Sequence, residues 1–320
     1  MSARVSCVCC DTDVSRSRVK SKRHGRLTGP SSFLILGLSM GPVSCHLRTR
    51  ARTCAIQEAT INTPAYSTAY SVEDFRRNLA TVRGRIAAAC ARVGRDPVEV
   101  RLLPVSKTMP EARIRMAYAA GCRELGENKV QEALGKAEAM ADLTDLRWSV
   151  IGHLQTNKAK VVARFASEFQ ALDSLRVAEA LDRRLQVEGR ALDVLVQVNT
   201  SGEASKFGLP PDEVARFFRD LPAFSSLRVR GLMTLALLSA DPARVRPCFT
   251  LLRELRARLR EEAPAGVTMN ELSMGMSGDF EWAVEEGATI VRVGQAIFGP
   301  RALPDSHYWP EPNATSDPTS

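Results

Sequence analysis

Lys107 stands at the end of a short apolar segment, in Val105-Ser106-Lys107-Thr108. A lysine that leaves a buried strand at the edge of a parallel sheet is partly desolvated, and desolvation frees its amine to attack a carbonyl carbon. A fully solvated lysine at a strand end is the plain alternative. The residue type and its place therefore point to covalent chemistry with a carbonyl compound, on a signal that is weak when taken alone.

Two glycine-containing segments near the end of the sequence have the features of a phosphate site. They read Ser273-Met274-Gly275-Met276-Ser277-Gly278-Asp279 and Arg292-Val293-Gly294-Gln295-Ala296. Ser277 offers a hydroxyl, Gly294 allows a ligand to approach the backbone, and the amides of Gly294 and Gln295 open a helical turn that favours an anion. Tight turns alone would explain the same glycines. Together with a reactive lysine, a phosphate site suggests a phosphorylated aldehyde, either pyridoxal 5′-phosphate or the substrate of a sugar-phosphate aldolase.

The elements that must position these residues repeat along the chain. An apolar stripe between Ser71 and Gly94 predicts a first helix. Short apolar runs, typical of parallel strands covered on both faces, then alternate with helical stretches. The predicted strands are 98–105, 123–126, 148–151, 169–172, 193–198, 229–233, 271–274 and 290–293. The predicted helices are 111–120, 130–140, 157–165, 175–187, 211–220, 242–262, 279–286 and 296–298.

Eight such units predict a single (β/α)8 barrel, a TIM barrel, over residues 71–303 with an extra N-terminal helix. Its site would lie where strands end and the next loops begin, which is where Lys107, Ser277 and Gly294 fall. An open doubly wound sheet is the alternative. It is disfavoured because no Gly-x-Gly-x-x-Gly turn follows the first strand.

The net positive charge of the chain comes entirely from its first segment. The formal net charge is +8, and residues 1–57 hold ten Lys or Arg against two acids, so the remainder has 34 basic and 34 acidic side chains. This neutral body gives no support for nucleic-acid binding. We expect residues 1–65 to be a disordered basic extension, with a transit peptide as the alternative, and residues 304–320 to be a loose tail.

The apolar runs and the cysteines limit the compartment. The longest apolar run, Phe33-Leu34-Ile35-Leu36-Gly37-Leu38, is too short to span a bilayer. Cys90, Cys122 and Cys248 are far apart and lack metal-ligand spacing, so we expect free thiols in a reducing compartment, the cytoplasm. No metal site is predicted, because the cluster Cys7-x-Cys9-Cys10 has no second ligand pair to complete a zinc shell.

Six segments resemble one family. They are Val105-Ser106-Lys107-Thr108, Gly126-Glu127-Asn128-Lys129-Val130-Gln131-Glu132, Ile151-Gly152-His153-Leu154-Gln155-Thr156-Asn157-Lys158, Gly231-Leu232-Met233-Thr234, Leu272-Ser273-Met274-Gly275-Met276-Ser277 and Arg292-Val293-Gly294. In this order they are similar to the pyridoxal phosphate homeostasis proteins, single-domain relatives of the alanine racemase barrel. The resemblance runs from about residue 72 to about residue 301.

The resemblance implies a barrel of pyridoxal phosphate fold type III, with the cofactor held as a Schiff base on Lys107. It also implies that Ser277 and the amides of Gly294 and Gln295 hold the phosphate, and that Arg292 faces the pyridine nitrogen. An arginine there keeps that nitrogen unprotonated, because adjacent positive charges repel, and this disfavours carbanion chemistry. Gln295 replaces a threonine or serine of the family, a change that a backbone contact survives and a hydroxyl contact does not.

The motifs also contain residues for which we predict supporting roles. Asn128 is expected beside the cofactor ring, and Met233 against the ring or within the core. We predict a hydrogen-bonded structural role for His153. The loop from Asn199 to Gly208 is either a lid over the barrel or a structured surface turn.

Two functions follow from this site. The first is a binding protein that stores pyridoxal phosphate and supplies it to apo-enzymes through transient contacts, with no catalytic residue of its own, as a monomer. The alternative is an amino-acid racemase-like enzyme. Racemases need a second acid or base on the far face of the cofactor, from an added β-domain for which the last twenty residues are too short, so the sequence favours the binding protein.

Overall fold

A computed structural model describes residues 66–262 and 267–300. The basic segment 1–65 and the tail 304–320 lie outside the described residues, so the predictions made for them stay predictions. The predicted barrel segment 71–303 is described as far as residue 300, apart from residues 263–266.

Eight parallel strands form a nearly closed barrel, which confirms the predicted fold class. The strands are β1 (Arg101–Pro104), β2 (Glu124–Glu127), β3 (Arg147–Val150), β4 (Glu168–Leu172), β5 (Leu192–Gln197), β6 (Leu227–Met233), β7 (Glu271–Ser273) and β8 (Ile290–Val293). They are hydrogen-bonded in the order β1-β8-β7-β6-β5-β4-β3-β2. A bridge between Val105 and Gly126 joins β1 to β2, and the Ser106 amide donates to the Gly126 carbonyl at 3.1 Å.

The helices cover the outside of the barrel and follow the predicted alternation. They are α1 (Val72–Arg92), α2 (Glu111–Ala119), α3 (Val130–Ala139), α4 (Ala159–Phe165), α5 (Leu175–Val187), α6 (Val214–Asp220), α7 (Pro242–Glu262), α8 (Phe280–Glu285) and α9 (Gln295–Phe298). The predicted strand 98–105 begins too early. Pro97–Glu99 forms a 3-10 turn that the Asp96 side chain caps at the Val98 amide, 2.9 Å away.

The first helix begins with a reciprocal cap. The Ser71 side chain accepts from the Asp74 amide at 3.1 Å, and the Asp74 carboxylate accepts from the Ser71 amide at 3.1 Å. Such a capping box satisfies two amides that have no partner inside the helix. The buried face of α1 then packs on the end of the chain, where the Phe75 and Phe298 rings meet edge to face at 5.2 Å.

The remaining predictions concern thiols and membranes. Cys90, Cys122 and Cys248 are free and buried, as predicted. Burial raises the pKa of the Cys122 thiol to about 11, which makes it a poor nucleophile. Among the described helices, none is both long enough and apolar enough to cross a membrane.

Gly231 generates a prediction about the contact of β6 with β7. A Cβ at residue 231 would lie 1.9 Å from the Glu271 carbonyl oxygen, so Gly231→Ala should lower the free energy of unfolding by about 3 kcal/mol or more. Gly135→Ala is the matched control. Nothing lies within 4 Å of its added Cβ, and in helix α3 it should stabilise by about 0.5–1 kcal/mol. Equal unfolding midpoints in urea for the two variants would contradict the prediction.

Candidate functional site

Lys107 lies half-buried just after β1, between the ends of two neighbouring strands. On one side the Val105 amide donates to the Val293 carbonyl at 3.0 Å. On the other side Ser106 bonds to Gly126 across the seam of the barrel. Closure of the barrel therefore brings Lys107 to the same rim as Asn128, which follows β2, and Gly294, which follows β8. These three residues are far apart in the sequence and come together only in the folded barrel.

The predicted phosphate residues lie on the loops that follow β7 and β8, and β8 pairs with β1, the strand that precedes Lys107. Ser277 is buried, and its hydroxyl lies 3.5 Å from the Ala296 amide at the start of α9. The Tyr66 hydroxyl donates to the Ser277 carbonyl at 2.8 Å and fixes this loop. At Gly294 a Cβ would lie 3.2 Å from the Val105 carbonyl oxygen. The loop therefore combines a hydroxyl, first-turn amides and backbone without a side chain, which is a donor set suited to an anion.

Arg292 points into the barrel beneath this loop. It is 3% exposed, and its Nη1 donates to the Ser273 hydroxyl at 2.6 Å while its Nη2 donates to the Thr234 carbonyl at 2.7 Å. Burial lowers the pKa of Arg292 to about 10, and the nearby Asp279 carboxylate opposes that shift. The guanidinium therefore remains charged at neutral pH and is held in a single orientation by two bonds.

A chain of polar side chains continues from Arg292 through the barrel interior. The Ser273 hydroxyl donates to Gln170 Oε1 at 2.6 Å, and Gln170 Nε2 donates to Glu168 Oε2 at 2.6 Å. Arg101 Nη2 donates to Glu168 Oε1 at 2.6 Å near the opposite end of the barrel. This series of hydrogen bonds was not predicted from the sequence. Its signal is the spacing of two between Glu168 and Gln170 within an otherwise apolar strand, which directs both side chains to one face.

A second polar cluster, also missed, lies beneath the Lys107 turn. Glu127 is fully buried at the end of β2, and its carboxylate accepts from the Ser106 hydroxyl at 2.6 Å and from Lys136 Nζ at 2.8 Å. Burial raises the pKa of Glu127, while Lys136 and Ser106 act in the opposite direction. The sequence signal was the spacing of four between Glu132 and Lys136, which pairs them on one side of α3.

His153 takes the predicted hydrogen-bonded role. Its Nδ1 lies 3.0 Å from Asp173 Oδ2, and its ring stacks on Phe207 with centroids 4.0 Å apart. Phe207 belongs to the loop between β5 and α6, in which Asn199 Nδ2 donates to the Glu203 carbonyl at 2.9 Å. On its other side the loop is attached through Lys206 Nζ, which donates to the Ala236 carbonyl at 2.7 Å. The loop thus reaches past β4 to contact the β3 side of the rim.

The other predicted site residues differ in exposure. Asn128 and Gln295 are half-buried at the rim. A Cβ at Gly152 would lie 2.2 Å from the Asn128 carbonyl oxygen, so the third loop packs directly on Asn128. Met233 is fully buried at the end of β6 within the core cluster. The structure therefore brings Lys107, Asn128 and Gly294 to one side of the rim and puts Met233 in the packed interior.

Comparison with known proteins gives consistent matches. The family model described as alanine racemase, N-terminal domain, matches residues 73–302. The pyridoxal phosphate homeostasis protein of Pseudomonas aeruginosa is 43% identical over 70% of this chain and 94% of its own length. The protein of that name from Aquifex aeolicus is 44% identical over 70% of this chain and 96% of its own length.

A solved structure is also similar to this chain. PipY of Synechococcus elongatus, determined with pyridoxal phosphate bound, is 37% identical with a TM-score of 0.63. The match covers 70% of this chain and 100% of that chain.

The ring stack of the β5–α6 loop leads to a prediction about its opening. Phe207→Ala removes an aromatic contact worth ~0.5–1.5 kcal/mol, so amide hydrogen exchange within residues 200–208 should speed up by ~2–10-fold. The unfolding midpoint should change little, because Phe207 is 55% exposed. Leu238→Ala, at a side chain 70% exposed, is the control and should leave exchange in the loop unchanged. Unchanged exchange in Phe207→Ala would show that the stack does not hold the loop.

Proposed function

The chain belongs to the pyridoxal phosphate homeostasis protein family, and from that membership we propose that it binds pyridoxal 5′-phosphate at Lys107 and takes part in its homeostasis. The observation that carries the proposal is the position of Lys107 at the carboxyl rim, just after β1, which pairs with the strand β8 that leads into the Gly294 loop, while the Ser277 loop follows β7, the next strand in the barrel. An amine and a phosphate-binding loop on neighbouring strands match the two ends of a phosphorylated aldehyde.

The residues present fit this cofactor. Ser277 supplies a buried hydroxyl, and the backbone at Gly294 and Gln295 supplies amides at a point where no side chain blocks approach. In the proposed site these three residues would hold the phosphate, the Lys107 amine would condense with the aldehyde and release its oxygen as water, and Asn128 would lie beside the ring. Met233, fully buried at the carboxyl end of β6, would pack in the core at the base of the site.

Arg292 would affect the protonation of the cofactor ring and so the chemistry that the cofactor supports. Pyridoxal phosphate supplies an aldehyde and an aromatic ring that withdraws electrons best when its nitrogen is protonated. The Arg292 guanidinium is fixed by Ser273 and Thr234 and charged at neutral pH. In the proposed site it faces the ring nitrogen and disfavours a proton there. This arrangement supports binding and release of the cofactor over amino-acid chemistry.

We place this activity in the cytoplasm, with transient contacts to apo-enzymes that need the cofactor and with the chain acting as a monomer. Among the described residues, the three buried free thiols agree with a reducing compartment. The acid–base balance of the chain after residue 57 offers no electrostatic basis for nucleic-acid binding.

Reductive trapping tests the anchor. Borohydride treatment of the loaded protein should leave a phosphopyridoxyl group on Lys107, because Lys107 follows the strand that pairs with β8 and its Gly294 loop. Lys107→Ala should abolish the covalent adduct while weak binding through Ser277 persists. Peptide mass mapping decides the position, and an adduct on Lys158 or Lys206 instead would show that the anchor is wrongly assigned.

Turnover assays separate the binding protein from the racemase-like alternative. Each missing acid or base group costs a factor of about a hundred or more in rate. The loaded protein should therefore show no appreciable racemase, decarboxylase or transaminase activity with single enantiomers of common amino acids, yet transfer cofactor to an apo-enzyme. Turnover near ten per second that disappears in Lys107→Ala would favour the enzyme.

A further inference from the structure

Lys136 lies buried beneath the turn that carries Lys107. It belongs to α3, and its side chain is 11% exposed. Its Nζ donates to the Ser106 carbonyl at 2.8 Å, to Glu127 Oε1 at 2.8 Å and to Glu132 Oε1 at 2.6 Å. An ammonium has three N–H donors, so these three acceptors account for all of them and hold the group in one position.

The two carboxylates bonded to Lys136 also hold the residues on either side of Lys107. Glu127 accepts at 2.6 Å from the hydroxyl of Ser106, the residue before Lys107. Glu132 accepts at 2.6 Å from the amide of Thr108, the residue after Lys107. We call Glu127, Glu132 and Lys136 the clamp. Lys136 and Glu132 of α3 thus bond to the backbone before and after Lys107, at the Ser106 carbonyl and the Thr108 amide.

The backbone of the turn that follows Lys107 is strained at Thr108. Thr108 has φ 66° and is the only non-glycine residue with positive φ in the part of the chain that the structure describes. A residue with a Cβ disfavours this left-handed conformation and adopts it when surrounding contacts impose it. The bond from the Thr108 amide to Glu132 is such a contact, so the clamp and the strained turn are parts of one arrangement.

Burying the charges of the clamp costs desolvation free energy. Glu127 is fully buried, and its Oε2 has no hydrogen-bond partner within the described residues. A well-packed apolar pair often stabilises such an interior position as well as an ion pair does. The clamp therefore contributes more to a defined conformation of the neighbouring turn than to the packing of α3 on β2.

From this geometry we propose that Lys136 is a positioning residue: through Glu127 and Glu132 it fixes the turn that presents the Lys107 amine to the cofactor aldehyde. The inference rests on the proposed function of Lys107 as the anchor. With the turn fixed, the amine is held in place before the ligand arrives, so the covalent bond forms faster than it would on a mobile loop.

The first test uses the protein without added cofactor. Glu132 is partly exposed, with 27% of its side chain accessible, so its variants should fold. Glu132→Ala removes the acceptor of the Thr108 amide, and hydrogen exchange at that amide should accelerate about tenfold, the factor that corresponds to ~1.4 kcal/mol. Glu132→Gln keeps an oxygen that can accept this bond and should restore most of the protection. Equal exchange in wild type, Glu132→Ala and Glu132→Gln would overturn the proposal.

The second test follows the bond to Lys107. Pyridoxal phosphate is mixed with apoprotein, and the adduct is trapped with borohydride after increasing times. Lys136→Met and Glu132→Ala should slow attachment at Lys107 about tenfold, whereas Lys160→Met, which removes an exposed lysine of α4, should leave it unchanged. If Lys136→Met alone fails to fold, Glu127→Gln combined with Lys136→Met removes both charges and takes its place.

The outcomes separate the two proposals. No adduct on Lys107 in the wild type would refute the proposed anchor, while exchange at Thr108 still tests the clamp. A wild-type adduct that forms at the same rate in the clamp variants would refute the positioning role. A loss of thermal midpoint in the clamp variants without any change in the Lys107 attachment rate would reduce the clamp to a structural ion pair and also refute it.

Discussion

The seam between β1 and β2 is the constraint on which the site depends. Seven of the eight neighbouring strand pairs are joined by parallel strand pairing, with register shifts in the β4–β5 and β5–β6 pairs, and the eighth is closed by the pair Val105 and Gly126. A Cβ at Gly126 would lie 3.3–3.4 Å from the side chains of Val105, Ile151 and Leu103, so a larger residue would require these side chains to move. Closure removes the last open sheet edge, and it also gives Lys107 its neighbours on both sides.

The interior of the barrel imposes a second requirement. A buried guanidinium such as Arg292 is tolerated only when its donors are satisfied, and here Ser273 and Thr234 accept from it. The bonds pass on through Gln170 and Glu168 to Arg101, so cations at both ends of the barrel share one hydrogen-bonded path. The barrel is therefore crossed by a polar path with apolar layers around it, and the orientation of Arg292 depends on strands distant from the rim.

The sequence predicts the elements better than it predicts their contacts. The α5 helix was predicted with its observed bounds, Leu175–Val187, and in the structure the Ser174 side chain caps its first turn by accepting from the Val177 amide. The start of β1 was missed because Asp96 bonds locally to the backbone, and apolar periodicity does not report that competition. Motifs placed Lys107, Ser277 and Gly294 at strand ends. They did not reveal Lys136, because its partners Ser106 and Glu127 meet it only after the barrel closes.

The loop between β5 and α6 is attached to the rim by two contacts of different physical kinds. On the β3 side Phe207 stacks on His153, a contact of low charge that salting-out ions strengthen. On the β6 side Lys206 bonds to the Ala236 carbonyl and to Glu203, and mobile ions screen that attachment. Added sulfate therefore shifts the two attachments of the loop in opposite directions: it weakens the ion pair of Lys206 with Glu203 and strengthens the stack of Phe207 on His153.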